Sequence, residues 1–341
     1  MEGLDMKGDQ IVLGSHKGRS AAAWFRDGRL HDLCIDPPEG RPSLGAVYRA
    51  VCDRPIKGQG GMFLKLPGGA TAWHRNAKGL VPGQVLLVQV SGHAEPGKAI
   101  PVTDRVLFKS RYCIVTPNAP GLNVARSITD DAERDRLLEI AHDVLPDDRG
   151  TSGVILRSQS AEADEEALEA DLAQTWELAE AVLSDAGSEP EHLLDGPDAH
   201  TLAWRDWPEA PTSEAWDDVL DDLDRLTSPE VRVGPVTLFI EPTRALVAVD
   251  VNTGESGAAG GLKANLAAVR ELPRQLRLRG LGGQIVIDMA PMAKKDRRTV
   301  EQALRSALRD DTVETSLIGW TPLGHLELTR RRERLPLGDL L

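Results

Sequence analysis

Two short apolar runs that each end on an aspartate constrain this chain more than any other feature: Ala245-Leu246-Val247-Ala248-Val249-Asp250-Val251-Asn252 and Gly282-Gly283-Gln284-Ile285-Val286-Ile287-Asp288. Between them, Leu262, Leu266, Val269, Leu272, Leu276 and Leu278 recur near a period of 3.6, and the segment stops at Gly280. That spacing predicts a helix from Leu262 to Arg279. Strand, helix, strand is a crossover unit, so the strands run parallel and Asp250 and Asp288 fall on one sheet edge. Ligands of open α/β sheets collect at that edge.

Paired carboxylates repel unless a cation lies between them, and hard oxygen donors without a nearby thiolate or imidazole suit Mg²⁺, with Mn²⁺ as a substitute. Asn252 points to the same face as Asp250 and can hold a metal-bound water or a phosphate oxygen. Strand-end aspartates also cap turns, and the pattern alone leaves both readings open.

Charge is partitioned along the chain. Residues 1–129 hold 17 Lys and Arg against 10 Asp and Glu, residues 130–230 hold 6 against 30, and residues 231–341 hold 17 against 13. The formal net charge of −13 therefore conceals two basic ends able to meet a polyanion around an acidic middle that favours solubility. Cys34, Cys52 and Cys113 are far apart, with no histidine at ligand spacing, which argues against a disulfide framework and a zinc site. Met1 to Asp5 lack the features of a leader, and no apolar run reaches 18 residues, so a soluble, cytoplasmic protein is expected.

Strands are expected at Ile11–Leu13, Ser20–Arg26 and Arg29–Ile35, with Asp27-Gly28 as a hairpin turn. Short strands at 46–52, 61–66, 71–73, 85–90 and 100–102 suggest a small β-barrel. Thr129–Val144 and Ala161–Leu183 read as helices on either side of a strand at 153–157. Residues 184–214, with four prolines, read as a loop. Asp296–Arg309 reads as a helix, Thr312–Ile318 as a strand, and Thr321-Pro322 as the start of a basic final helix carrying Arg330, Arg331, Arg332 and Arg334.

The residues Ala248-Val249-Asp250-Val251-Asn252, Arg274-Gln275-Leu276-Arg277-Leu278-Arg279-Gly280-Leu281-Gly282-Gly283 and Ile285-Val286-Ile287-Asp288 together resemble the catalytic signature of the ribonuclease E/G family of endoribonucleases. Gly28-Arg29-Leu30-His31-Asp32-Leu33, Tyr112-Cys113-Ile114-Val115-Thr116-Pro117-Asn118 and Gly324-His325-Leu326-Glu327-Leu328-Thr329-Arg330 extend the resemblance over most of the chain. It implies a mixed α+β architecture. A ribonuclease H-like domain (1–36 and 108–230) is interrupted by an S1-like OB β-barrel (37–107) and followed by a deoxyribonuclease I-like α/β catalytic subdomain (231–341) that ends in the basic helix.

By the same resemblance, Asp250 and Asp288 are the metal-binding aspartates, Asn252 supports them, and the reaction is Mg²⁺-dependent cleavage of single-stranded RNA in RNA processing or decay. The barrel would grip RNA through Phe63, Trp73 and Lys98, while Arg277, Arg279 and Arg331 would neutralise phosphates flanking the cut. A 5′-monophosphate pocket would fall at Ile114, Arg157 and Ser158, but Asp310-Asp311 stand where the resemblance expects a further cation, which argues against strict 5′-end sensing. The cysteines that link family subunits through zinc are missing, as is a scaffold tail, so zinc-bridged assembly is not expected and the oligomeric state stays open. The short, acidic middle, Pro273 inside the crossover helix and the missing 5′-end cation leave an alternative: a weakly active or inactive RNA-binding relative.

Overall fold

The computed structural model describes residues 7–56, 58, 60–76, 78–95, 97–161, 163–254 and 260–341; Met1 to Asp5, read above as lacking a leader, lie outside them. The chain forms two compact units, one of Met1–Glu39 with Ala210–Leu341 and one of Gly40–Glu209.

The first unit opens with an antiparallel meander of β1 (Asp9–His16), β2 (Arg19–Arg26) and β3 (Arg29–Ile35). At the second turn Asp27 and Gly28 both take positive φ, 49° and 71°, the twist that a two-residue hairpin needs and that Asp-Gly supplies at low cost.

In the second unit β4 (Val47–Pro55), β5 (Met62–Lys65), β6 (Thr71–His74), β7 (Val85–Val90) and β8 (Ile100–Thr103) close into a ring in the order β4-β5-β6-β8-β7, with β7 pairing back onto β4. Met62, Leu64, Ala72, Val88 and Val102 fill this OB-like barrel. A four-stranded sheet follows from β9 (Phe108–Lys109), β10 (Cys113–Thr116), β11 (Gly121–Val124) and β12 (Gly153–Leu156). The helices α1 (Asp131–Val144) and α2 (Glu165–Leu183) start on Asp130 and Asp164, whose carboxylates accept from the Glu133 and Ala167 amides. Leu137, Ile140, Leu168, Leu172 and Trp176 share a core with Val115, Val154 and Leu156 of that sheet.

The stretch expected as a loop between 184 and 214 is instead structured. It holds β13 (Glu191–Leu194) on β4, α3 (Ala199–Asp206) capped by Asp198, and, back in the first unit, β14 (Thr212–Ser213) parallel to β1. Pro190, Pro197, Pro208 and Pro211 all stand just outside these elements, so they punctuate short segments rather than forbid them.

After α4 (Asp217–Thr227), β15 (Glu230–Val233), β16 (Val236–Pro242) and β17 (Val247–Asn252) lead into α5 (Gly261–Leu278), which runs through Pro273. Next come β18 (Gly283–Asp288), α6 (Arg297–Arg309), β19 (Thr315–Trp320), β20 (Leu326–Arg330) and the short α7 (Leu337–Leu340). The sheet order is β15-β16-β17-β18-β20-β19, with β17 and β18 parallel as the crossover requires. Leu272, Leu276, Val300 and Leu304 of α5 and α6 join Val249, Val251, Ile285 and Ile287 in one core, so the helices cover a single face.

The expected basic C-terminal helix is not formed. Thr321 and Pro322 sit in the β19–β20 turn, closed by the Thr321 amide donating to the His325 carbonyl at 2.8 Å, and β20 pairs with both β18 and β19. Leu326, Leu328 and Arg330 are buried on alternate positions, a period of two that outweighs the Thr-Pro capping signal. No helix among the described residues is long and apolar enough to cross a membrane.

Candidate active site

Valines 247, 249 and 251 face the core, so Ala248, Asp250 and Asn252 face away from the helices; Gly283, Ile285 and Ile287 do the same for Gln284, Val286 and Asp288. Parallel register then sets Asp250 directly opposite Asp288 on adjacent strands. Both are exposed on the uncovered sheet face, at the carboxyl ends of their strands. The Asn252 amide donates to Asp250 Oδ2 at 2.8 Å and fixes that carboxylate's orientation.

The turn after Asp288 is pinned from beneath. Fully buried Asn265 on α5 donates from Nδ2 to the Ala290 carbonyl and accepts from the Ala290 amide at Oδ1, both at 2.9 Å. Gly261 opens α5 against the same turn, where a β-carbon would stand 1.9 Å from the Pro291 carbonyl oxygen. Asn265 thus fixes the backbone two residues beyond Asp288.

His325 also belongs to the site, and sequence reasoning gave it no role. Because Ile287 pairs with Leu326 in antiparallel register, the residue before Leu326 reaches Asp288, and His325 Nδ1 lies 3.2 Å from its Oδ1. That is ion-pair distance, yet Nδ1 makes no hydrogen bond, so the contact is off the line such a bond requires. The signal was the alternation His325-Leu326-Glu327-Leu328, legible only once that segment is known to be a strand.

The structure does not bring the predicted phosphate arginines to this edge. Arg277 and Arg279 lie at the C-terminal end of α5, which enters β18 at its start, and both are 6% exposed. Arg277 meets Asp32 at 3.3 Å and Asp311 at 2.7 Å and donates to the His31 carbonyl; Arg279 donates to the Leu226 and Ser228 carbonyls and to Gln275. Burial, with the charge of Arg274 adding to it, pushes Arg279 down to about 10. Arg331 is on the surface, near Glu333 and Glu314. Its neighbour Arg330 pairs with Gly283, five residues from Asp288, which at the strand rise is about 17 Å away. In this structure Arg277 and Arg279 are interior ion-pair and capping residues, because their partners are buried carboxylates and carbonyls.

The same cluster sets an acid dependence. Burial opposes ionisation of Asp32, but Arg334 and Arg277 outweigh it and hold its carboxyl below the usual range. His31 is pushed down from 6.5 to about 4 by burial first and then by the charge of Arg277. His93, in the other unit, is pushed to about 4 by burial and by Arg41. All three bind fewer protons folded than unfolded, so stability falls as pH falls. The histidine contribution is lost between pH 6.5 and about 4, and that of Asp32 below the ordinary carboxylate range. Thermal melts should be flat from pH 8 to 7 and then decline, with a shallower decline in His31→Gln; an unchanged slope in that variant would remove His31 from the account.

On the barrel, Phe63 and Trp73 are register partners with ring centroids 5.2 Å apart, and the Arg54 guanidinium sits 5.3 Å from the Phe63 ring centre. Met62, Leu64, Ala72 and His74 alternate with them into the interior, so both aromatics lie outside the barrel core. Trp73 covers Gly61, where a β-carbon would fall 1.9 Å from the indole. Lys98 lies in the loop before β8 and is paired with Glu95.

Ile114 sits in β10 opposite Ile155, and Ser158 begins the short turn after β12. Arg157 is already engaged: its guanidinium meets Asp206 at 2.8 Å and donates to the Ser110 and Arg205 carbonyls. Burial works against ionisation of Asp206, but Arg205 and Arg157 hold it below the usual carboxylate range.

The model of the Ribonuclease E/G family matches residues 108–228 and 218–333. The chain is 26% identical to Ribonuclease G of Salmonella typhimurium (strain SL1344), over 95% of this chain and 80% of that protein. It is 26% identical to Ribonuclease G of Escherichia coli (strain K12), over 97% and 81%. Ribonuclease E of a Nostoc species is 25% identical over 95% of this chain and 56% of its own length. The chain belongs to the ribonuclease E/G family.

Proposed function

We propose that this protein is a Mg²⁺-dependent endoribonuclease acting on single-stranded RNA. The observation that carries the reading is the register that sets Asp250 opposite Asp288 on an open, exposed sheet edge. Among the described residues neither carboxylate has a Lys or Arg ion-pair partner, and no third acidic, histidine or cysteine ligand completes a protein cage. Two carboxylates with room for water fit Mg²⁺, which keeps several waters and takes one or two carboxylates. When bound, the metal supplies a lowered water pKa and stabilises charge on the scissile phosphate. Asn252 orients Asp250, Asn265 fixes the turn behind Asp288, and His325 flanks Asp288.

We further assign residues 1–36 with 108–230 to a ribonuclease H-like domain, 37–107 to an S1-like domain and 231–341 to a deoxyribonuclease I-like catalytic subdomain. Phe63 and Trp73 form the barrel's base-stacking surface, and stacking contributes roughly 1–3 kcal/mol per base. Phe63→Ala should therefore weaken single-stranded RNA binding by about tenfold in a chelator-containing titration; unchanged affinity would remove the barrel pair from the binding surface. With Asp206 on Arg157, a 5′-monophosphate should change the rate little. The test of the whole reading is internal cleavage of an end-labelled RNA of ~20–30 nucleotides, enough to exceed a barrel's site of roughly 4–16 nucleotides, with Mg²⁺ and with chelator. Binding without cleavage in both would leave an RNA-binding relative.

A further inference from the structure

The uncovered face of the six-stranded sheet carries more than the two aspartates. Across the strands, Glu230 pairs with Phe239, Phe239 with Asp250 and Asp250 with Asp288, in one continuous row. Phe239 stands between Leu238 and Ile240, which are 0% and 1% exposed and point into the core, so its ring points with Asp250 to the uncovered face. It is half-buried, belongs to none of the four apolar cores, and its neighbours on that face of β16 are Thr237 and Glu241. Its Cα is one strand spacing, about 5 Å, from that of Asp250.

The next row on the same face runs Asn252, Thr237, Arg232. The Arg232 side chain is 80% exposed; Glu230 accepts from its Nε at 2.7 Å, and its terminal nitrogens have no bond among the described residues. Arg232 is two strand spacings, about 10 Å, from Asn252. It is a cation at the carboxylate edge, whereas Arg277, Arg279 and Arg331 are not.

We propose that this face seats one unstacked nucleobase on Phe239, immediately beside the scissile phosphate that a metal at Asp250 and Asp288 would hold, with Arg232 taking a neighbouring phosphate. The proposal rests on the endoribonuclease reading above and deepens it. A base can lie flat on an aromatic ring only if it has left its own stack, so this site requires an unpaired nucleotide next to the cut. A ring has no hydrogen-bond pattern, so the requirement is for single-strandedness with little preference among bases. Single-strand recognition elsewhere combines the same two parts, an aromatic platform and a cation on the backbone.

The test is a cycle between protein and substrate. RNAs carrying one abasic ribose at successive positions around the cut are cleaved by wild type, Phe239→Leu and Phe239→Trp. Expected is a loss of about tenfold in kcat/KM for Phe239→Leu on intact RNA, a similar loss for wild type at one abasic position, and no further loss when the two are combined. Phe239→Trp should keep most of the activity, which a packing defect would not allow. Arg232→Gln should lower the slope of log affinity against log salt by about 0.7. Losses that multiply, or an unaffected Phe239→Leu, would overturn the proposal and leave Phe239 as an ordinary surface phenylalanine. If wild type cuts no RNA, the endoribonuclease reading fails first; the same cycle read as binding in chelator, with the abasic position moved along the whole oligonucleotide, still decides the Phe239 contact.

Discussion

Asp288→Asn should abolish Mg²⁺-dependent RNA cleavage, by roughly a thousandfold or more, while leaving the fold intact. A metal site supplies several kcal/mol of transition-state stabilisation, and about 4 kcal/mol corresponds to that factor. Asp288 is 65% exposed, so its replacement should change stability by no more than about 1 kcal/mol. Removing one of two facing carboxylates even relieves repulsion. At about 5 Å that repulsion is about 1 kcal/mol in a water-like dielectric and about 3 at an effective value of 20, and exposure favours the lower figure. A second readout is independent of turnover. Mg²⁺ that binds only the folded state should raise the melting temperature of wild type, and the variant should lose this rise. Equal cleavage and equal Mg²⁺ shifts in both proteins would sink the metal-site reading.

The site's skeleton was legible because its signals are local. Alternating valines and isoleucines on either side of a 3.6-period helix dictate a parallel pair, and the parallel pair dictates that Asp250 and Asp288 share an edge. The resemblance, rather than a local period, pointed to Phe63 and Trp73, and the structure puts both outside the barrel core, alternating with Met62, Leu64, Ala72 and His74. What stayed hidden depended on distant partners. The Arg274–Arg279 run looks like a cationic surface until Asp32 and Asp311 are found beside Arg277, from opposite ends of the sequence. Arg330 hid β20 because a buried arginine at a core-facing strand position reads as a solvated helix end. His325 and Phe239 were missed because the antiparallel register that aligns them with the aspartates cannot be read from either segment alone.

The interior role of those arginines leads to the second large effect. Asp311 has a side chain only 1% exposed, and it meets both Arg277, at 2.7 Å, and Arg330. Asp311→Ala leaves two buried guanidiniums without their shared counter-charge, and breaking one buried pair from one side typically costs about 3–5 kcal/mol. Against a usual total of about 5–15 kcal/mol, that loss should lower the denaturation midpoint steeply or prevent folding of the unit that carries Asp250 and Asp288. Arg331→Ala, at an exposed pair, should cost less than about 1 kcal/mol. Combining Asp311→Asn with Arg330→Met should recover part of the loss, because the second change withdraws a charge that the first left unpaired. Arg277→Met decides between the two roles of the arginine run. If Arg277 is an interior partner, the variant loses stability while RNA affinity per folded molecule is unchanged. A stable Arg277→Met that binds RNA weakly would return the run to the phosphate-binding surface.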